Sequence, residues 1–253
     1  MNYEPTNPEI FTNANQFLST IQGEQPGVYI IKPRVLLSII EDKFGIPTKL
    51  NLSFPSSEIG SITLLEAAML VALGKLVGAK TIFEFGTFLG YTTNLFVQNF
   101  PDSKIYTLDL PVTDEKLEEY RKISKSEALT NDVVNDDFLR GLQTLKGPIY
   151  LQEDDGIPEQ VSLLKGDSLK YDRLELNLQN SVDLIFVDGG HEANIIESDT
   201  RNADYMSSEK SVVIWHDFNS NIHGDVTDFL EMNRHSRQIF HIQSTLIAFS
   251  IKL

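Results

Sequence analysis

Asp188, His191 and Asp217 are the residues whose types and spacing point most directly to chemistry. Asp188 closes the apolar run VDLIFVD and Asp217 closes SVVIWHD, one crossover further along. Carboxylates at the tips of neighbouring parallel strands lie on the sheet edge where open α/β folds bind ligands. Such a pair can share a hard divalent cation such as Mg2+, whose charge would lower the pKa of a substrate hydroxyl and orient it. His191 follows in the loop DGGHE, where a neutral imidazole could take the hydroxyl proton. Ordinary structural explanations stand beside these. Asp188 and the glycines after it can shape a turn, Asp217 can cap a helix beginning near Asn219, and His216 can be a hydrogen-bonded core residue. Asp199, Asn202 and Asp204 read equally well as a solvated helix face, and Trp215 as core.

A second constellation lies earlier. The strand-like TIFEFG runs through a glycine turn into TFLGYTTNLF, whose Leu89, Leu95, Phe96 and Phe100 share one helix side. A strand, a glycine turn and a helix N-terminus expose backbone N–H groups that can receive a ligand carboxylate. Gly86 and Gly90 allow close backbone approach, and Thr87 sits between them. Glu84 reaches toward the same loop, where a carboxylate repels a pyrophosphate but can hold an ammonium or an ordered water. The run KIYTLDL then ends in Asp109, where an acid at a strand tip can accept hydrogen bonds from both hydroxyls of a ribose.

The elements that must position these residues follow from the pattern. Short apolar runs (KTIFEFG, KIYTLDL, VSLLKG, VDLIFVDGG, SVVIWHDF) alternate with amphipathic stretches, which predicts a mostly parallel sheet with crossover helices. TLLE from Thr63 to Glu66 is a capping box opening a helix up to Gly78. IFHIQST and LIAFSIKL are too close for a helix between them and predict an antiparallel hairpin at the sheet edge. Residues 1–60 carry Pro5, Pro8, Pro26, Pro33, Pro47 and Pro55, which argue against a regular sheet and for a helical extension. The long stretch between Leu110 and Val161 reads as acidic helix, with a solvated face favoured over a substrate lid.

EFGTFLGYTT resembles motif I of the class I S-adenosylmethionine-dependent methyltransferases, and YTLDL resembles their motif II strand with its ribose-binding acid. LLKGDSL is similar to the segment that contacts adenine, with Asp167 and Ser168 in the matching positions. VDLIFVDGGH and SVVIWHDF resemble motifs IV and V of the small-molecule O-methyltransferase branch, which includes macrocin and sugar O-methyltransferases. The resemblance runs from about Ser61 to Leu253. It implies a Rossmann-like three-layer α/β sandwich over 61–253, with a seven-stranded sheet and the helical extension 1–60. The cofactor would be S-adenosylmethionine, held by Glu84, Gly86, Thr87, Gly90, Asp109, Asp167, Ser168 and Asp188. In the metal-dependent sugar enzymes D-x-x-H pairs a metal ligand with a base, which makes Asp188, with Asp217, the metal ligand set and His191 the base. Those relatives tend to carry a second acid where this chain has His216.

Composition bounds the partners. A formal net charge of −15 over 253 residues repels phosphate backbones, so a small-molecule substrate is expected and a nucleic-acid partner is not. With no cysteine, thiolate metal sites and cysteine nucleophiles are excluded. The start lacks the pattern of a secretory signal, and no apolar run is long enough to span a bilayer, so a cytoplasmic location without membrane association is the expectation. A homo-oligomer is compatible with the sequence. Two rivals stay open: a nicotinamide-dependent oxidoreductase, weakened by the incomplete glycine loop, and a domain that binds cofactor or partner without turnover.

Overall fold

The computed structural model describes residues 9–45, 49–54, 58–130, 132–152, 156–170 and 176–253. The elements, in chain order, begin with β1 (Glu9–Phe11), α1 (Ala14–Gly23), β2 (Gly27–Ile31) and α2 (Pro33–Phe44). Then come α3 (Leu64–Val77), β3 (Thr81–Phe85), α4 (Tyr91–Asn99), β4 (Lys104–Asp109), α5 (Asp114–Tyr120), α6 (Lys125–Ala128) and α7 (Asp132–Lys146). The chain ends with β5 (Val161–Lys165), β6 (Val182–Val187), α8 (Ala193–Met206), β7 (Ser207–Trp215), α9 (Gly224–Met232), β8 (Gln238–Ile242) and β9 (Ala248–Ile251).

All strands join one sheet in the order β1-β2-β8-β9-β7-β6-β3-β4-β5. Strand β9 runs antiparallel to both β7 and β8, and every other pairing is parallel. The expected α/β architecture with its antiparallel C-terminal pair is therefore present. Apolar residues on the two sheet faces build separate cores, one around Phe96, Phe186 and Phe249, the other around Phe83, Ile185 and Trp215. Helices cover both faces, which is why the central strands read as continuous apolar runs.

Three expectations are corrected at the far edge. The sheet has nine strands rather than seven, and the β8–β9 pair is not at its edge, because β2 and β1 continue beyond β8. The segment before residue 60 is thus not only helical. Pro26 precedes β2, and Pro33 stands in the first turn of α2, so these prolines bracket the strand and interrupt nothing. Tyr29 stacks on Phe11 and Phe240, and burial of these rings is what draws β2 and β1 onto β8.

The capping box is present: Thr63 and Glu66 bond each other's backbone N–H at the start of α3. Glu66 also accepts from Leu246 N at 2.8 Å, which ties this helix end to the β8–β9 connection. None of the helices among the described residues is long and apolar enough to cross a membrane.

Candidate active site

A cavity of about 400 Å³ opens at the carboxyl ends of the parallel strands. The turn after β3 forms its floor. Gly86 has φ +93°, and a Cβ there would stand 1.9 Å from the Asp188 carbonyl oxygen, so only glycine permits the β3 and β6 loops to meet. Gly86, Asp109, Asp167, Ser168 and Asp188 all line the cavity. Burial pushes the Asp109 carboxyl up, although Lys165 Nζ lies 3.4 Å away. Asp167 pairs with Lys170 at 3.0 Å and accepts from Leu169 N.

Glu84, Thr87 and Gly90 are not among the residues that line the cavity. Glu84 is fully buried and accepts from Thr107 Oγ1 at 2.7 Å and from Thr93 Oγ1, which straps β3 to β4 and α4. Its other oxygen has no hydrogen-bond partner, and burial pushes the carboxyl up to about 8. Thr87 Oγ1 joins the same knot through Thr107 Oγ1 at 2.7 Å. Gly90 has φ +80° and opens α4, with Leu151 occupying the space of a Cβ.

At the opposite wall the predicted reaction residues do converge. Asp217 Oδ2 accepts from His191 Nε2 at 3.0 Å and from His216 Nδ1 at 2.9 Å. Asp188 Oδ1 lies 3.2 Å from that same His216 nitrogen. His191 Nδ1 lies 2.7 Å from Oδ1 of Asp136, a residue of α7 that the sequence did not single out. Behind His216, Glu66 Oε2 stands 3.7 Å from Nε2. Carboxylates and imidazoles thus alternate from Glu66 to Asp136 in a buried chain.

The charges are set by these contacts. Burial alone would lower the His191 imidazole, but hydrogen bonds to Asp136 and Asp217 outweigh it and push it up to about 10. His216 is likewise raised, because Asp217 and Asp188 outweigh its burial. Asp217 is held well below the usual carboxylate range, its burial overcome by His216 and His191. Burial leaves Asp188 raised and, by contrast, is overcome at Asp136 by the His191 hydrogen bond. Asp217 also sits at φ +62° in the left-handed region, a conformation that costs a non-glycine residue about 1–3 kcal/mol and that the surrounding bonds must hold.

Helix α7 closes the cavity with Asn135, Asp136, Leu139, Arg140 and Gln143, so the solvated face expected for this stretch is instead a site wall. Their i, i+4, i+7 recurrence was the available signal. Asp199 and Asn202 are buried rather than solvated, whereas Asp204 is half-exposed and pairs with Arg237. Trp215 is core, its Nε1 donating to Thr200 Oγ1 at 2.9 Å. His223, also missed, stacks on His191 with ring centroids 3.6 Å apart.

A sequence profile described as a methyltransferase domain matches residues 83–218, the span that carries Asp109, Asp136, Asp188, His191 and Asp217. The chain belongs to the methyltransferase domain family. No curated protein matches the sequence. Among solved structures the methyltransferase is similar to the O-methyltransferase NovP, with a TM-score of 0.51 and 13% identity over 74% of this chain and 78% of that one. It is also similar to a protein described as a caffeoyl-CoA O-methyltransferase from Staphylococcus aureus, with a TM-score of 0.49 and 15% identity over 95% of this chain and 99% of that one. At such identities the likeness to NovP is one of fold: the class I, S-adenosylmethionine-dependent methyltransferase fold that the motifs predict.

Proposed function

We propose that the protein transfers the methyl group of S-adenosylmethionine to a hydroxyl of a small molecule, such as a sugar, an antibiotic or another secondary metabolite. The observation that carries this reading is the Asp136, His191, Asp217 chain on one wall of a cavity whose other wall holds Asp109, Asp167 and Ser168. The residues suit the cofactor. Asp109 stands at the tip of β4 for the ribose, Gly86 lets the β3 and β6 loops meet beside it, and the acidic lining matches a ligand bearing a sulfonium and an ammonium. When bound, S-adenosylmethionine supplies an electrophilic methyl group, so the protein's task is alignment.

His191 is the proposed base. Asp136 fixes its ring as the carboxylate of a hydrolase triad fixes its histidine, and Nε2, which donates to Asp217 in the ligand-free chain, is the nitrogen that takes the acceptor proton once its own has left. With a pKa near 10 the imidazole holds its proton at neutral pH, and cations entering the cavity would lower that value toward the working range. Asp188 and Asp217, with His191 between them, have ligand atoms within 4.8 Å of one another and are the residues that would hold Mg2+, whose charge would acidify the acceptor hydroxyl. Residues 61–253 make up the methyltransferase unit in this reading. The first sixty are an accessory segment, and Ile59 and Gly60 reach the cavity wall.

Calorimetric titration with S-adenosylmethionine, with and without Mg2+, tests the proposal beside an Asp109→Ala variant. Saturable binding that weakens at least about tenfold in the variant is expected, the size of one charge-assisted contact. No binding by the wild-type protein in either condition would overturn the reading.

A further inference from the structure

The proposed chemistry uses one side of the His191 ring. Its other side faces a second set of ligand atoms that neither the family motifs nor the carboxylate pair accounts for. Asp136 Oδ1 lies 2.7 Å from His191 Nδ1, and the His223 ring stacks on the His191 ring at 3.6 Å and 20°, so His223 turns out of the stack when both rings meet one ion. Asp136, His191 and His223 offer ligand atoms within 4.8 Å of one another, and all three are buried. They come from α7, the loop after β6 and the loop before α9, so three separate elements converge on one point. All three line the cavity, which provides an entry path and a coordination position facing open space.

We propose that Asp136, His191 and His223 form a site for a borderline transition-metal ion such as Zn2+ or Co2+, separate from the Asp188 and Asp217 pair on the opposite side of the imidazole. Two imidazoles and one carboxylate suit zinc, cobalt, nickel or iron, whereas Mg2+ prefers an all-oxygen set. An ion on His191 Nδ1 takes the place of the proton that this nitrogen shares with Asp136, so binding releases a proton. Arg140 Nη2, 3.5 Å from an Asp136 oxygen, also reaches Asp137 with Nη1 at 3.4 Å, so Arg140 retains a partner when an ion enters. Metal on Nδ1 would displace the Asp136 hydrogen bond that orients the ring. Inhibition of methyl transfer is therefore expected, a consequence that rests on His191 being the base, whereas binding itself does not.

The test needs neither cofactor nor acceptor. Zn2+ is titrated calorimetrically into the full ligand-free chain, and Co2+ is followed by its visible absorption, for wild type, His223→Ala, His223→Gln, Asp136→Asn and Asp188→Asn, with thermal melts for each. The expected result is saturable 1:1 binding that weakens tenfold or more in Asp136→Asn and both His223 variants and stays within about threefold in Asp188→Asn. The site is overturned if wild type binds neither ion. It is equally overturned if a folded His223 variant binds like wild type, or if Asp188→Asn alone loses the ion. His223→Gln gives the same decision should the alanine variant fail to fold. Loss of S-adenosylmethionine binding would sink the proposed function and leave this result unaffected.

Discussion

The two walls of the cavity are built on different principles. On the β4–β5 side, Asp109 and Asp167 meet single lysines at partly exposed positions and otherwise face the open cavity. On the β6–β7 side, Glu66, His216, Asp188, Asp217, His191 and Asp136 are bound to one another before any ligand arrives. The first wall keeps hydrogen-bonding capacity for a guest, and the second spends it on its own alignment. Removing a residue from the first should cost affinity and little stability. Removing one from the second should cost stability as well as rate, because it strands a buried charge.

The largest effect is expected from Asp217→Ala, which takes the shared acceptor from two raised imidazoles and should destabilise the protein by about 3–5 kcal/mol in urea denaturation. Asp109→Ala should leave the urea midpoint within experimental error; equal losses in the two variants would erase the distinction between the walls. His191→Gln should come next, lowering kcat by roughly 10²–10⁴ while S-adenosylmethionine affinity stays nearly unchanged. A parallel loss of affinity would mean that His191 belongs to the cofactor wall.

The smallest effect concerns Glu84, which supports the floor between the walls. Its folded pKa of about 8 exceeds the ordinary 4.5, so the folded protein keeps a proton that the unfolded chain releases. This contribution to stability is fully present below about 4.5 and is lost as pH rises through about 8. Glu84→Gln should flatten the fall in melting temperature between pH 5 and pH 8, measured at constant salt. An identical slope in wild type and variant would assign the pH dependence to the β6–β7 chain instead.

The β4–β5 wall was largely legible because its geometry is local. A glycine turn between strand and helix and an acid at a strand tip each depend on backbone conformation over a few positions. The ends of β6 and β7 were legible for the same reason, and with them Asp188, His191 and Asp217. Glu84 was readable as an unusual acid in a strand but not as a buried one, since its orientation away from the cavity is set by Thr93 and Thr107.

The sequence by itself determined the alternating elements, their order and the residues at the strand tips, because periodicity and turn chemistry act within a few residues. Only the tertiary structure decided that Asp136 would meet His191 across 55 positions, that Glu66 would stand behind His216, and that β2 would pair with β8. Those contacts depend on where a helix lies over the sheet and which apolar edge needs covering. Such packing choices are made between elements distant in the chain, and no local pattern records them.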